Sequence, residues 1–183
     1  MRRVRLLLGV GILSLSLAVA IWPLAQSRAK PAPPKGPPAL IPMEVVRVAA
    51  TTNNQSVVIL RSQAERKLLP IWIGEAEANA IQLRLAGRKP PRPLTHDLLD
   101  RVIAQLGARL VKVHVEDLRD NIFYGRVYLK HGNREIDVDA RPSDSIALAV
   151  GARVPVLVAR RVLDAAGVDD KPPPPPGGDK DTL

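Results

Sequence analysis

Two short stretches hold most of the side chains able to do chemistry. In "DARPSD", residues 139–144, Asp139 and Asp144 flank Arg141 and Ser143; in "THD", residues 95–97, a hydroxyl, an imidazole and a carboxylate follow one another. Carboxylates can hold Mg²⁺ or Mn²⁺, which generate a nucleophilic water and steady negative charge on a phosphate. Asp97, Asp139 and Asp144 are the candidate ligands for such an ion. Arg141 can grip a phosphate bidentately, with Ser143 and Thr95 as further contacts, and His96 can move a proton as general acid or base. Glu75 and Glu77 form a sister pair of acids further up the chain.

Each candidate also has a plainer structural reading. Thr95 can cap a helix, with Asp97 in its first turn where the helix dipole favours an anion, leaving His96 exposed. Asp144 can serve the same way at the next helix start. Arg141 is the exception, because a cation at a helix N-terminus opposes the dipole. It therefore needs an anion, either a substrate phosphate or an internal carboxylate such as Asp139, Asp97 or Glu77. Glu75 and Glu77 read mainly as helix-start acids. His114 and Glu116, two apart on one strand face, read as a solvated surface with metal binding as the alternative, and His131 reads as surface. The sequence has no glycine-rich phosphate loop, zinc-ligand spacing or nucleophile elbow.

The elements that must position these residues follow from periodicity. "MEVVRVAA", "SVVILRS" and "KLLPIWI" read as strands, and "GEAEANAIQLRLAG" reads as a helix stopping at Gly87. After the proline-rich "RKPPRPL" comes a helix over "THDLLDRVIAQLGA". Thr95 is its expected N-cap, with Leu98, Leu99, Val102, Ile103 and Leu106 as its expected core-facing stripe. "RLVKVHVEDL", "NIFYGRVYLKH" and "NREIDVDA" are strands, and Pro142 opens the next helix at a position where its missing N–H costs nothing. "VPVLVAR" and "RVLDAAG" give a last strand and helix. A shift of 67 residues lays Leu69, Ile71 and Ile73 over Ile136, Val138 and Ala140, and Glu77 over Asp144. This weak repeat predicts two related strand-to-helix junctions, at Gly74 and Arg141; chance likeness of two amphipathic units is the competing account.

Bulk composition narrows the field. The 183 residues suffice for one domain with a true core plus extensions. The absence of cysteine excludes disulfides and thiolate metal sites. Only five aromatic residues, Trp22, Trp72, Phe123, Tyr124 and Tyr128, argue against a base-stacking platform. The net charge of +9 invites a nucleic-acid partner, but residues 1–42 supply six Lys/Arg and no acid, while 43–168 balance 19 against 14. The folded part is only mildly basic. Three arginines precede a charge-free run from Leu6 to Ser27, which fits a signal peptide or membrane anchor over residues 1–29. An exported, inner-membrane-anchored or extracytoplasmic location follows as the expectation. Residues 30–42 read as a proline-rich linker and 169–183 as a disordered polyproline tail, leaving one domain over 43–168.

"LPIWIGEAEANAIQLRLAG" (69–87), "PRPLTHDLL" (91–99) and "IDVDARPSDSIALAV" (136–150) together resemble the bifunctional nuclease domain family of bacteria and plants. The likeness covers essentially all of 43–168. It implies an α+β domain with a mixed β-sheet flanked by helices, homo-oligomer formation, and cleavage of DNA and RNA. On that reading the metal-assisted residues are His96, Asp97, Asp139, Arg141 and Asp144, with Mg²⁺ or Mn²⁺ as cofactor and nucleic acid as substrate. The export segment and polyproline tail depart from the family pattern. They keep open a non-catalytic, envelope-associated binding or scaffolding module of the same fold.

Overall fold

The computed structural model describes residues 39–51 and 55–171. Its elements follow in order as β1 (Leu40–Ala50), β2 (Ser56–Ser62), β3 (Lys67–Ile73), α1 (Glu75–Leu85), α2 (Thr95–Gln105) and β4 (Ala108–Arg119). Then come β5 (Ile122–His131), β6 (Arg134–Ala140), α3 (Pro142–Ala152), β7 (Val156–Ala159), α4 (Arg160–Ala166) and β8 (Val168–Asp169). The eight strands form one sheet in the order β6-β5-β4-β7-β1-β2-β3-β8. β4 and β7 pair in parallel, whereas the other pairings are antiparallel. This is a single α+β domain with a mixed sheet and four helices.

The repeat is visible in the element boundaries. β3 and β6 lie 67 residues apart at both ends, as do α1 and α3. Each half is a hairpin, a third strand and a helix, and the two halves flank the short β7 in mirrored strand order. Alternation along the strands puts Val58, Leu60, Leu69 and Ile71 in the core from one half, and Val113, Val115 and Val127 from the other. Against β4, β5, α1 and α2 packs α3, whose Ile146, Ala147, Leu148 and Ala149 are all buried. Burial of each large aliphatic side chain contributes about 1.5–3 kcal/mol, so α3 is the central post of the fold. Gly125 permits this: a Cβ there would stand 2.9 Å from the Ala140 carbonyl oxygen and 3.1 Å from the Pro142 nitrogen.

Three sequence expectations need correction. The domain is longer than 43–168. β1 begins at Leu40, which pairs with Ala159, and the supposed linker residue Pro42 sits in that strand opposite Leu157. Pro42 is tolerated because β1 pairs there only with β7, its ladder to β2 starting at Glu44. At the other end Val168 and Asp169 add a strand beside β3, and Lys67 binds Asp169 at 3.1 Å, so the first tail residues belong to the fold. Secondly, Thr95 is not the cap of α2 but its first residue. Leu94 holds the N-cap position, and its N–H donates to Asp97 Oδ2 at 2.9 Å.

The third correction concerns which way α2 faces. Four of the five residues of the expected core stripe point outward, Leu98 57% exposed and Leu106 70%, with Leu99 and Val102 also exposed, while Ile103 is half-buried. The inward side of α2 carries His96, Asp97 and Asp100, because polar bonds to α1 and α3 set the roll of the helix. Among the described residues no helix is long and apolar enough to cross a membrane. The Leu6–Ser27 run, the proline-rich stretch before residue 39 and the polyproline tail beyond 171 lie outside the described residues.

Candidate functional site

Both strand-to-helix junctions open onto one cleft of about 450 Å³. The end of β3 and Gly74 line it from the first junction, Arg141, Pro142 and Ser143 line it from the second, and the β4–β5 hairpin tip closes a third side. The reason is the repeat itself, since each third strand ends where its helix begins and the halves face each other across α1 and α3. A larger, mainly apolar cleft of about 630 Å³ lies elsewhere, between the start of β1 and the end of α3. It brings together none of the residues singled out in the sequence.

Arg141 occupies the N-cap position of α3. Its Nε donates to Asp144 Oδ2 at 2.7 Å, and its Nη2 donates to Asp144 Oδ1 at 3.0 Å and to Glu77 Oε1 at 2.6 Å. Glu77 and Asp144 are the third residues of α1 and α3, the positions superposed by the 67-residue shift. The two helix-start acids therefore converge on one guanidinium, which neutralises the charge that the dipole would otherwise repel. Two hydrogen bonds to carboxylates, first to Asp144 and then to Glu77, raise the pKa of Arg141 still further above its ordinary value. Gly74 makes room for this pairing, because a Cβ there would overlap the Glu77 carboxylate.

Behind Arg141 stands His96, only 8% exposed, with Nε2 3.1 Å from Asp144 Oδ1. Burial pushes the Asp144 carboxyl up, but Arg141 and His96 outweigh it and hold the group below the ordinary carboxylate value. Arg141 remains two-thirds exposed at its side chain, and its Nη1 has no partner among the described residues. A guanidinium clamped through Nε and Nη2, on a residue that lines an open cleft, keeps Nη1 free to donate to a phosphate oxygen.

Not every residue expected at the site is there. Ser143 is buried and lines the cleft, whereas Thr95 is exposed on α2 and does not line it. Asp97 is committed elsewhere, to the Leu94 N–H and to Arg84 Nη2 at 2.8 Å. The Leu94 bond first, and Arg84 with it, hold its carboxyl below the ordinary value against the opposing effect of burial. Asp139 lies opposite Arg126 in the β5–β6 ladder, so alternation turns it to the face of Asp137, away from Ala140 and the α3 side. Asp97, Asp139 and Asp144 thus stand in three different settings. Among the described residues no three His, Asp or Glu side chains gather in a way that could hold a metal ion.

His114 and Glu116 are not a solvated face either. His114 is 7% exposed with Nδ1 3.4 Å from Glu116 Oε1, and Glu116 also accepts from the Tyr128 hydroxyl at 2.8 Å and Arg126 Nε at 3.2 Å. Arg126 continues the network to Asp137. Two residues escaped sequence reasoning altogether. Arg84, buried at the end of α1, ties Asp97, Asp100 and the Ala147 carbonyl together and passes over Gly151, where a Cβ would strike it. The available signal was a single cation inside the apolar "IQLRLAG" run. Trp72 is 60% exposed at the cleft; alternation with the inward Leu69 and Ile71 already placed it outside.

An α+β domain of two hairpin-strand-helix halves, with an arginine clamped by two helix-start acids over a shared cleft, is the class of protein that fold and site define. Residues 58–171 match the family described as the bifunctional nuclease domain, and the chain belongs to that family. It is 47% identical over 116 residues to an uncharacterized protein of Mycobacterium tuberculosis, covering 63% of this chain and 69% of that relative. It is 28% identical over 121 residues to bifunctional nuclease 1 of Oryza sativa and to the bifunctional nuclease of Oryza minuta, covering 64% of this chain. The match spans only 37% of the length of these rice proteins. Family membership supports a nuclease-type activity.

Proposed function

We propose that the chain hydrolyses phosphodiester bonds of DNA and RNA at the cleft between the two junctions. The observation that carries this reading is Arg141, held in one orientation by Asp144 and Glu77 yet two-thirds exposed with Nη1 left over. In the proposed reaction Arg141 neutralises the phosphate as its charge builds, and Ser143 contributes polar groups from the start of α3. Asp144 orients both Arg141 and His96. The His96–Asp144 pair, which stands behind Arg141 and not on the cleft wall, takes the proton of the attacking water and returns it to the leaving oxygen through an intervening water. Among the described residues no three His, Asp or Glu side chains gather around a common point, so no step is routed through Mg²⁺ or Mn²⁺ and that dependence is left to the EDTA comparison below.

The test is cleavage of single-stranded DNA and RNA by the purified full chain, with and without EDTA. Asp144→Asn releases Arg141 and His96 together and is expected to lower the rate at least 100-fold while the domain stays folded. Unchanged turnover in both Asp144→Asn and Arg141→Ala would sink the reading. A non-catalytic binding module is favoured by one observation, that both acids beside the cleft, Glu77 and Asp144, are already bound to Arg141 and neither lines the cleft itself. Tight binding with no turnover on any nucleic acid would establish it instead. We further propose that the Leu6–Ser27 run exports or anchors the chain. Intact full-length chain recovered from the cytosol without membrane association would refute that.

A further inference from the structure

The cleft that holds Arg141 also holds the most exposed aromatic ring among the described residues. Trp72, next to last in β3, has 60% of its surface accessible, and it shares the cleft with Ile122, itself 59% exposed, and with Phe123. A folded chain with so few aromatic residues gains nothing for its core by leaving an indole in water. The type of side chain sharing the cleft narrows the purpose. Ile122 and Phe123 come from the β4–β5 hairpin, so two different elements present apolar surfaces to the same opening. Arg141, Gln55 and Asn121 add polar groups around the same opening.

A cleft lined by an exposed indole, further apolar side chains and a guanidinium matches one nucleotide unit, a planar base joined to an anionic phosphate. We propose that Trp72 is a positioning residue that stacks one unpaired nucleobase in this cleft while the adjoining phosphate rests on Arg141. Its size lies within the usual range of ligand clefts. A base paired within a duplex cannot offer its face to Trp72, so the slot takes bases of single strands or bases turned out of a helix. The Nη1 of Arg141, a donor with no acceptor among the described residues, distinguishes this occupant from a second copy of the chain, whose Arg141 would bring another donor and no acceptor to a shared patch. The inference builds on the nucleic-acid reading above by naming the residue that seats the substrate.

The experiment uses the full chain and two hydrolysis-resistant phosphorothioate oligonucleotides of equal length, oligoadenylate and its abasic counterpart, at fixed salt. Trp72→Ala is expected to weaken oligoadenylate binding roughly 5- to 100-fold. Binding of the abasic strand and the salt slope should stay unchanged, because no phosphate contact is lost. Trp72→Phe should restore most of the affinity, and quenching of tryptophan fluorescence by oligoadenylate should vanish in it although Trp22 remains. Trp72 is exposed, so both variants are expected to melt as the parent does. Equal loss on both strands, no loss on either, or no binding by the parent chain would each overturn the assignment. So would concentration-dependent self-association that Trp72→Ala abolishes while leaving oligonucleotide affinity intact. Base-dependent binding through Trp72 without cleavage would uphold this site and refute the hydrolase reading. Cleavage indifferent to Trp72 would do the reverse.

Discussion

Arg141 sits where the helix dipole should reject it, and its neighbours explain why it stays. Glu77 is 15% exposed at its side chain and Asp144 28%, so each carboxylate is partly withdrawn from water and needs the cation as much as the cation needs them. Arg141 itself is 66% exposed, which screens the pairs and limits their worth. Arg141→Ala is therefore expected to cost only about 1 kcal/mol in chemical denaturation, but to remove one phosphate contact from the salt dependence of binding. Arg141→Lys should recover the stability and not the binding, since an ammonium cannot hold two carboxylates and a phosphate in one plane. A loss of several kcal/mol with unchanged binding would assign Arg141 to structure alone. The need for an anion was legible from residue type and position, and Glu77 was among the named partners. Asp139 was misjudged because proximity in sequence conceals the change of face that strand alternation imposes.

At the scale of elements, α2 shows how a polar lock overrides an amphipathic pattern. Its leucines have ideal helical spacing, yet Leu98 and Leu106 face solvent because Asp97 and Asp100 are drawn to Arg84 and His96 to Asp144. Leu106→Gln is thus expected to change stability by no more than about 0.5 kcal/mol, whereas Leu148→Ala on α3 should cost about 2–5 kcal/mol. Arg84→Ala should fall between, at about 2–4 kcal/mol, because it strands two partly buried carboxylates and an α3 carbonyl. Urea titration of the three variants checks the order, and a large loss in Leu106→Gln would return the stripe to the core. Every strand but β8, and every helix, was read correctly from periodicity, which depends on local geometry. The roll of α2 depends on Arg84, 13 residues away from Asp97, and no local pattern carries that.

The whole molecule responds to acid through groups whose pKa values shift on folding. Asp97 and Asp144 titrate below the ordinary 3.8, so their contribution is complete above that value and is lost as pH falls through their folded pKa values. His114 acts over a higher window. Burial first, against the pull of Glu116, lowers it from 6.5, so the unfolded chain binds its proton before the folded one does. Its contribution is complete above 6.5 and declines below. Stability is expected to begin falling near pH 6.5 and to fall again below pH 4, and His114→Gln should flatten the upper limb only. Thermal melts from pH 8 to 3 measure both limbs; an unaltered upper limb in His114→Gln would place the titration elsewhere.

The sequence by itself determined the helices and all strands but the two-residue β8, the 67-residue repeat and the family, because all three rest on short-range periodicity and ordered motifs. It also determined that Arg141 required an anion, a consequence of backbone electrostatics at any helix start. Tertiary structure alone decided which anions those were. It also decided that Asp97 serves Arg84, that Asp139 faces away, and that Trp72 and Arg141 share one cleft. Those outcomes depend on how two halves of the chain meet across α1 and α3, where residues 64 or 69 positions apart come within a hydrogen bond or onto one wall. A carboxylate near in sequence and one far away are equivalent to a guanidinium until packing brings one of them within 3 Å and turns the other to the opposite face.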